Sequence, residues 1–251
     1  MNNVEHIKTR LKRLLLFRGM VLSIILIMGF AGCSSLEDNY TGSDLYSAFD
    51  FSDGLQGWIG GFSGYPAGLE DSLELFSGYS AFPDNLGLNK KTLTISGKNS
   101  HKSLFYFVKK KVESLRPNTT YQVFIDAQFI VESRDGIPGD GAIYVKYGAF
   151  NDDPEVKELA VGHLPEDKVN IINVDIGMTP AGEGTFVRSV GALELPVVGD
   201  SKIFKASNVD RRIVAQTDKD GSLWLLVGFD STVDAHLAFY FQTISIYYSE
   251  I

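Results

Sequence analysis

The sequence lacks several features that mark common classes of enzyme. It has a single cysteine, Cys33, so no intramolecular disulfide can form. Its four histidines are widely spaced and show neither an HExxH pattern nor another paired spacing of metal ligands. The G-x-S-x-G motif of serine hydrolases is also missing. Carboxylates are abundant, but the sequence marks no two of them as a glycosidase pair. We therefore expect a protein without catalytic activity, whose fold depends on its hydrophobic core.

Long apolar runs are scarce as well, and the longest lies near the N-terminus. Residues 19–32, GMVLSIILIMGFAG, make a run of about 14 residues, whereas a membrane-spanning helix needs about 20. Residues 1–18 carry five basic side chains against one acidic side chain, Glu5. A basic start, a short apolar run and an exit through small residues are typical of a secretory signal peptide. We therefore predict that residues 1–32 are a signal peptide and do not belong to the fold.

The apolar run ends in the letters FAGC, which resemble the lipobox of bacterial lipoproteins. The resemblance implies that Cys33 becomes the acylated N-terminus, with fatty acyl chains such as palmitate holding it in a lipid bilayer. Residues 33–46 would then form a polar, lipidated tether. Ser34 after the cysteine implies the outer membrane in a diderm cell, or the outer face of the plasma membrane in a cell with one membrane. The alternative is an ordinary signal peptide followed by an incidental cysteine.

Basic residues are in the minority once the signal peptide is removed. The remaining 219 residues carry 18 basic and 30 acidic side chains, a net charge of −12. A nucleic acid or an anionic lipid headgroup requires a basic surface, so the charge argues against both as ligands. Neutral glycans, cations and basic proteins remain compatible with this charge.

Residues 47–251 show strand signals and no sustained amphipathic-helix pattern. In TTYQVFIDAQFIV, Tyr121 and every second residue after it are apolar, and Gln122, Asp126 and Gln128 lie on the opposite face. Clusters rich in Gly, Pro, Asn and Asp, such as DGIPGDG and DKDG, separate the strand segments as turns do. About ten strands without helices predict one antiparallel β-sandwich or barrel over residues 47–251.

Three segments add a resemblance to a known family. FDFSDGLQGW, SLRPNTTYQVFIDAQ and LAFYFQTISIY resemble the opening strand, central hairpin and closing strand of carbohydrate-binding modules of the galactose-binding-like type. The resemblance implies an all-β, antiparallel jelly-roll β-sandwich. In that family an Asp in the closing strand helps to hold a structural calcium, but Gln242 and Thr243 stand there in this chain. Asp50, Asp218 and Asp220 are candidate calcium ligands elsewhere. They supply too few oxygens for an ion that takes six to eight, so we expect no cofactor.

Aromatic and polar side chains outside the predicted core are the candidate ligand contacts. Trp58, in a glycine-rich stretch, is expected to fill the core because its large apolar ring needs covering. An aromatic platform beside amides and carboxylates suits the C–H face and the hydroxyl groups of a sugar. The candidates are Tyr65, Tyr79, Asp126, Gln128, Tyr144, Trp224, Tyr240 and Gln242. The alternative is that those on strands are ordinary solvated residues, or that Trp224 is core and the register is shifted by one.

These observations favour one function and leave two others open. The first hypothesis is a membrane-anchored, surface-exposed, non-catalytic binding module with a glycan ligand. The alternative is a structural or protein-interaction lipoprotein that serves an envelope complex or adhesion and has no sugar site. A polysaccharide hydrolase is the third. The expected partners are the lipid bilayer, through acylated Cys33, and either a glycan or an envelope protein; no nucleic acid partner is expected.

Overall fold

Antiparallel strands make up nearly all of the regular structure. The computed structural model describes residues 44–135, 141–162 and 167–251. The predicted signal peptide, Cys33 and residues 34–43 of the predicted tether lie outside the described residues. In the described ranges a 3₁₀ turn, Asp84–Leu86, is the one helical element. No helix there is long and apolar enough to cross a membrane.

The first strand begins earlier than the sequence predicts. Residues 44–46, expected in the tether, belong to this strand, because it pairs with the last strand of the chain from Asp44 onward. The strands of the described residues are β1 (Asp44–Phe49), β2 (Ile59–Ser63), β3 (Tyr65–Pro66), β4 (Phe76–Ala81), β5 (Lys91–Lys98), β6 (Phe105–Val112), β7 (Thr120–Ser133), β8 (Ile143–Phe150), β9 (Val156–Ala160), β10 (Lys168–Ile172), β11 (Val187–Leu193), β12 (Ser201–Ser207), β13 (Ile213–Gln216), β14 (Leu223–Ser231) and β15 (His236–Glu250).

Two antiparallel sheets face each other, and a small third sheet lies beside them. The seven-stranded sheet has the order β12-β7-β15-β5-β4, with β1 on β15 and β13 on β7. The five-stranded sheet has the order β11-β8-β14-β6-β2, and β3, β10 and β9 form the third sheet. From β5 to β8, and again from β13 to β15, successive strands alternate between the two large sheets. This winding confirms the predicted all-β, antiparallel jelly-roll sandwich.

The core lies between the two large sheets and follows the alternation seen in the sequence. Every second residue of β7 from Tyr121 faces inward, as do Ile143 and its alternate neighbours in β8 and Leu223 and its alternate neighbours in β14. Trp58 is 1% exposed and packs edge-on against Phe49, so it fills the core as expected. Residues Ser43–Ile251 form one compact unit.

A β-bulge in β15 decides which side chains of this strand face outward. Phe241 pairs with Phe129 and Thr243 pairs with the adjacent Gln128, so Gln242 is an extra residue on β15. The extra residue shifts the alternation by one. The inward residues are Leu237, Phe239 and Phe241 before the bulge, and Ile244, Ile246 and Tyr248 after it.

The outer face of the five-stranded sheet is covered and contains a buried ion pair. Lys146 is fully buried, and its Nζ lies 3.2 Å from the carboxylate of Asp230. The Nζ also donates to the carbonyl oxygens of Ile176, at 2.6 Å, and Thr179, at 3.3 Å. Burial raises the pKa of Asp230, while the ammonium of Lys146 opposes the rise. The ion pair therefore fastens the segment that contains Ile176 and Thr179 to β8 and β14.

We expect Lys146→Met to be strongly destabilising, because it leaves the carboxylate of Asp230 buried without its cation. The free energy of unfolding should fall by about 3–5 kcal/mol. The double variant Lys146→Met/Asp230→Leu should recover most of that loss, since it removes both charges. Chemical denaturation measures both effects. Lys111→Met is the control, because its ion pair with Glu113 is exposed and should contribute less than about 1 kcal/mol. A loss for Lys146→Met as small as that of the control would contradict the account.

Candidate functional site

The structure does not bring the eight candidate residues together. Tyr144 and Trp224 lie on the outer face of the five-stranded sheet. Trp224 is half-buried against the apolar cluster there, with the Nζ of Lys109 4.9 Å above its ring. Lys146, which shares this face, is buried in its ion pair. The remaining six candidates lie elsewhere, so one groove holding all eight is not formed.

Two tyrosines expected in exposed loops lie in strands instead. Tyr65 is in β3 and only 8% exposed, so it belongs to the core. Tyr79 is in β4, where its hydroxyl donates to the carbonyl oxygen of Ser52 at 2.7 Å. The glycine-rich composition around both residues suggested loops, but β3 pairs with β10, about 100 residues along the chain, and β4 pairs with the next strand, β5.

Tyr240 lies on the outer face of the seven-stranded sheet, under a local cover. Phe82 and Leu86, from the segment around the 3₁₀ turn, pack on Ile130, Ala238 and Tyr240. Tyr240 is 4% exposed, and its hydroxyl donates to Glu132 at 2.7 Å. Burial, followed by Glu132, raises its pKa to about 12. This half of the face is therefore closed to a ligand.

No described residue covers the other half of that face, after the bulge, and we call it the open half. A depression of about 360 Å³ lies on it. Three candidates from the sequence meet here, Asp126, Gln128 and Gln242. The side chains of the open half are Tyr46 of β1, Asp126 and Gln128 of β7, Lys205 and Ser207 of β12, and Gln242, Thr243, Ser245 and Tyr247 of β15.

An exposed pair of aromatic rings adjoins the depression. Tyr46 and Tyr247 are 57% and 47% exposed, and their ring centroids are 4.6 Å apart with the planes tilted by 40°. The hydroxyl of Tyr46 donates to the Oγ of Ser245 at 3.2 Å, which links the pair to the depression. Desolvation, with smaller effects from Tyr46 and Asp126, raises the pKa of Tyr247, so its hydroxyl stays protonated at neutral pH.

The polar groups of the open half retain hydrogen-bonding capacity. Gln128 donates to the amide oxygen of Gln242 at 2.8 Å, which leaves one acceptor oxygen on Gln128 and the amino group of Gln242. Within the described part of the chain, Asp126 and Lys205 take part in no ion pair or side-chain hydrogen bond. An acceptor, a donor and a carboxylate thus lie beside an aromatic surface.

Sequence reasoning missed the two aromatic residues of this site. Tyr46 was assigned to the tether, because the letters LYSAF show no clean alternation of apolar and polar residues; in the structure Tyr46 and Ala48 are exposed, whereas Leu45, Ser47 and Phe49 are partly buried. Tyr247 was missed because unbroken alternation from Leu237, without a bulge, places it on the inward face. The signal was present, since the large apolar residues of β15 occupy odd positions up to Phe241 and even positions from Ile244.

Two of the three candidate calcium ligands, Asp50 and Asp218, cap turns, and the third, Asp220, pairs with Lys219 at 3.1 Å. Asp50 accepts hydrogen bonds from the backbone N–H and the hydroxyl of Ser52. Asp218 accepts from the backbone N–H groups of Asp220 and Ser222. These bonds lower the pKa of both carboxyl groups. Across the described ranges, no group of three or more His, Cys, Asp and Glu residues is placed to hold a metal ion.

Comparisons with known proteins find similarity among solved structures alone. No protein-family model matches the sequence, and no curated protein matches it significantly. Among solved structures, the CBM22-1 xylan-binding domain of Paenibacillus barcinonensis Xyn10C is 12% identical with a TM-score of 0.37, over 84% of this chain and 99% of that domain. The mannan-recognising carbohydrate-binding module TmCBM27 is 13% identical with a TM-score of 0.36, over 81% and 97%.

A third similar structure is much longer than this protein. The enzymatically active domain of tailspike protein 4 of bacteriophage CBA120 is 8% identical with a TM-score of 0.31, and the match covers 78% of this chain but 20% of that one. Similar solved structures thus include carbohydrate-binding modules with a β-sandwich fold. Identities and TM-scores this low carry no information on the ligand of this chain, which has to be argued from its own residues.

The cover over Tyr240 leads to a prediction about alkaline pH. A phenol titrates near pH 10 in an unfolded chain, whereas that of Tyr240 titrates at about 12 in the folded protein. Because the folded pKa is raised, the stability that this group contributes is complete below pH 10 and is lost as the pH rises from 10 to 12. Tyr240→Phe should therefore show a shallower loss of stability over this range.

At pH 8 the free energy of unfolding of the same variant should be about 1–2 kcal/mol below that of the wild type, because the hydrogen bond to Glu132 is missing. Denaturant unfolding at pH 8, 10 and 11 measures both effects. Tyr46→Phe, which removes an exposed hydroxyl, is the control and should follow the wild type. If the free energies of unfolding of the wild type and Tyr240→Phe fall in parallel from pH 8 to pH 11, the ring is not covered as described.

Proposed function

We propose that the protein is a non-catalytic saccharide-binding module, and that the open half of the seven-stranded sheet is its binding face. The observation that carries the proposal is the exposed Tyr46–Tyr247 pair, which lies beside hydrogen-bonding groups that remain available on Asp126, Gln128 and Gln242. A pyranose ring has an apolar C–H face and a rim of hydroxyl groups. An aromatic surface flanked by amides and a carboxylate matches both.

The shape of the open half favours a chain ligand over a single sugar. Four strands cross it in the order β12-β7-β15-β1, and β12 and β1 are edge strands of the described sheet. At about 4.8 Å between strands, the face is roughly 14 Å wide. The covered half, under Phe82 and Leu86, limits it along the strands. A ligand therefore has room to run across the strands and to extend past both edges of the described sheet. This suits an oligosaccharide of several units.

The charge of the open half favours a neutral ligand. Asp126 and Lys205 both line the depression, so one anion and one cation face the ligand. Neither sign dominates, and the mature chain as a whole is acidic. A polyanionic saccharide would be repelled by this net charge, whereas a neutral one would not.

The binding experiment uses neutral hexaoses built from glucose, xylose, mannose or galactose. Isothermal titration of the purified protein should find at least one that binds. Tyr46→Ala and Tyr247→Ala should each weaken it about tenfold to a hundredfold, because each removes an apolar contact area worth roughly 1.5–3 kcal/mol. Tyr247→Phe should keep most of the affinity, since the ring remains.

A matched control separates the site from general surface effects. Phe76 is 44% exposed and lies in β4, at the far edge of the same sheet. Phe76→Ala should leave binding unchanged. Absence of binding across the panel, or equal losses in the Tyr247→Ala and Phe76→Ala proteins, would contradict the proposal. Co-purification of an envelope protein in place of sugar binding would favour the protein-interaction alternative.

We also propose that the module is held at the cell envelope through acylated Cys33. The support is the lipobox-like FAGC sequence after a short apolar run. The described fold starts at Asp44, so about ten residues separate the cysteine from β1 and would reach roughly 35 Å when extended. Such a tether would hold the binding face clear of the bilayer.

Cys33→Ser should abolish membrane association, because the acylation site is lost. Fractionation of cells that express the full chain, together with labelling by a fatty-acid analogue, measures the effect. The variant should appear in the soluble fraction or as an unprocessed precursor, without label. Unchanged processing and membrane association would instead mean that the N-terminal segment is an ordinary signal peptide or a different anchor.

A further inference from the structure

Two adjoining depressions lie apart from the open half, the first of them at the seam between the large sheets. Their volumes are about 290 and 270 Å³, and they share Phe150, Asn151 and Phe186. The first also has Thr120 and Gln216 in its lining, from the seven-stranded sheet, and the second has Asp152. None of these residues belongs to the open half, so the seam is a separate place on the molecule.

An exposed aromatic ring stands where the two depressions meet. Phe186 is 46% exposed, and its ring lies edge-on to that of Phe150, with the centroids 6.4 Å apart and the planes at 78°. Phe150 is itself buried in the apolar cluster of the five-stranded sheet. The exposed ring is thus supported on one side by a fixed neighbour and faces solvent on the other.

The segment that ends at Phe186 is fastened at several points. Asp175 accepts hydrogen bonds from the backbone N–H of Gly177, at 3.0 Å, and of Thr185, at 2.9 Å, which closes the segment into a loop. The buried ammonium of Lys146 holds the same loop through two of its carbonyl oxygens. The backbone N–H of Ala149 donates to the carbonyl oxygen of Phe186 at 3.3 Å.

This fastening fixes the position of an exposed ring. A buried ion pair adds little net stability compared with apolar residues of the same size. Its effect here is to hold the loop from Asp175 to Thr185 against the sheet through Lys146 and Asp230. Rigid support behind an exposed aromatic side chain is what a preorganised binding site requires.

Polar groups with spare capacity lie next to the ring. Asn151 and Asp152 make no side-chain hydrogen bond or ion pair with any other described residue. Gln216 donates to the carbonyl oxygen of Asn118 at 3.1 Å and keeps its amide oxygen as an acceptor. An amide, a carboxylate and an amide oxygen around an apolar ring have the same chemistry as the open half.

We infer that the seam around Phe186 is a second saccharide-binding subsite. The ring of Phe186 would pack on the C–H face of a sugar, and Asn151, Asp152 and Gln216 would bind its hydroxyl groups. A neutral sugar suits this place, because the depressions set several polar side chains around one exposed aromatic ring. Two sites on one module would bind two chains, or two stretches of one chain, with increased avidity.

Isothermal titration with trioses and hexaoses of glucose, xylose, mannose and galactose tests the inference through stoichiometry. The wild type should bind two molecules of at least one triose. Phe186→Ala should reduce the stoichiometry to one, with at least a tenfold loss at the missing site. Tyr247→Ala should keep the site that depends on Phe186. Phe76→Ala, which removes a ring of matched exposure, should still bind two. Thermal unfolding checks that each variant is folded.

The outcomes separate this inference from the proposed function. A stoichiometry of one that Tyr247→Ala abolishes and Phe186→Ala leaves unchanged would overturn the second subsite and support the first. No binding of any sugar in the panel would overturn both. If sedimentation instead shows a dimer that Phe186→Ala dissociates, the seam is a contact between copies of the chain and the inference is wrong.

Discussion

The pairing of β7 with β15 is the constraint on which the rest of the structure depends. These two strands form the middle of the seven-stranded sheet, and their register runs from Leu237 against Ser133 to Glu250 against Tyr121. The bulge at Gln242 keeps large apolar residues of β15 inward on both sides of it. If Gln242 were paired regularly, the alternation would continue unbroken and Ile244, Ile246 and Tyr248 would face solvent, at a cost of roughly 1.5–3 kcal/mol each. The bulge therefore stabilises the core and, at the same time, turns Tyr247 outward.

The same register divides one face of the sheet into two halves with different roles. Before the bulge, Ala238 and Tyr240 face outward and are covered by Phe82 and Leu86. After it, the outward side chains of β15 are small and polar as far as Tyr247, and nothing in the described residues covers them. β1 extends this half by one strand and brings Tyr46 against Tyr247. The aromatic pair of the open half is thus assembled from the two ends of the folded domain.

Much of the fold follows from the sequence, because the core strands alternate strictly. The inward residues of β7, β8 and β14 were predictable, since each strand keeps one register throughout. The candidate site was only partly predictable. Asp126, Gln128 and Gln242 do meet, but Trp224 lies on the other sheet and Tyr65 is buried. Which sheet a strand joins depends on pairing between distant segments, and composition does not encode it. The ion pair of Lys146 was hidden for the same reason, because its partners come from β14 and a distant loop.

The central claim is that the open half, created by the bulge and by β1, binds a saccharide chain. A crystal structure of the protein soaked with its tightest-binding neutral hexaose tests this claim most directly. The account predicts a chain that crosses β12, β7, β15 and β1, with a sugar ring on Tyr46 or Tyr247 and hydroxyl groups bonded to Asp126 and Gln128. Density for the sugar only at other surfaces, with the open half free, would contradict it.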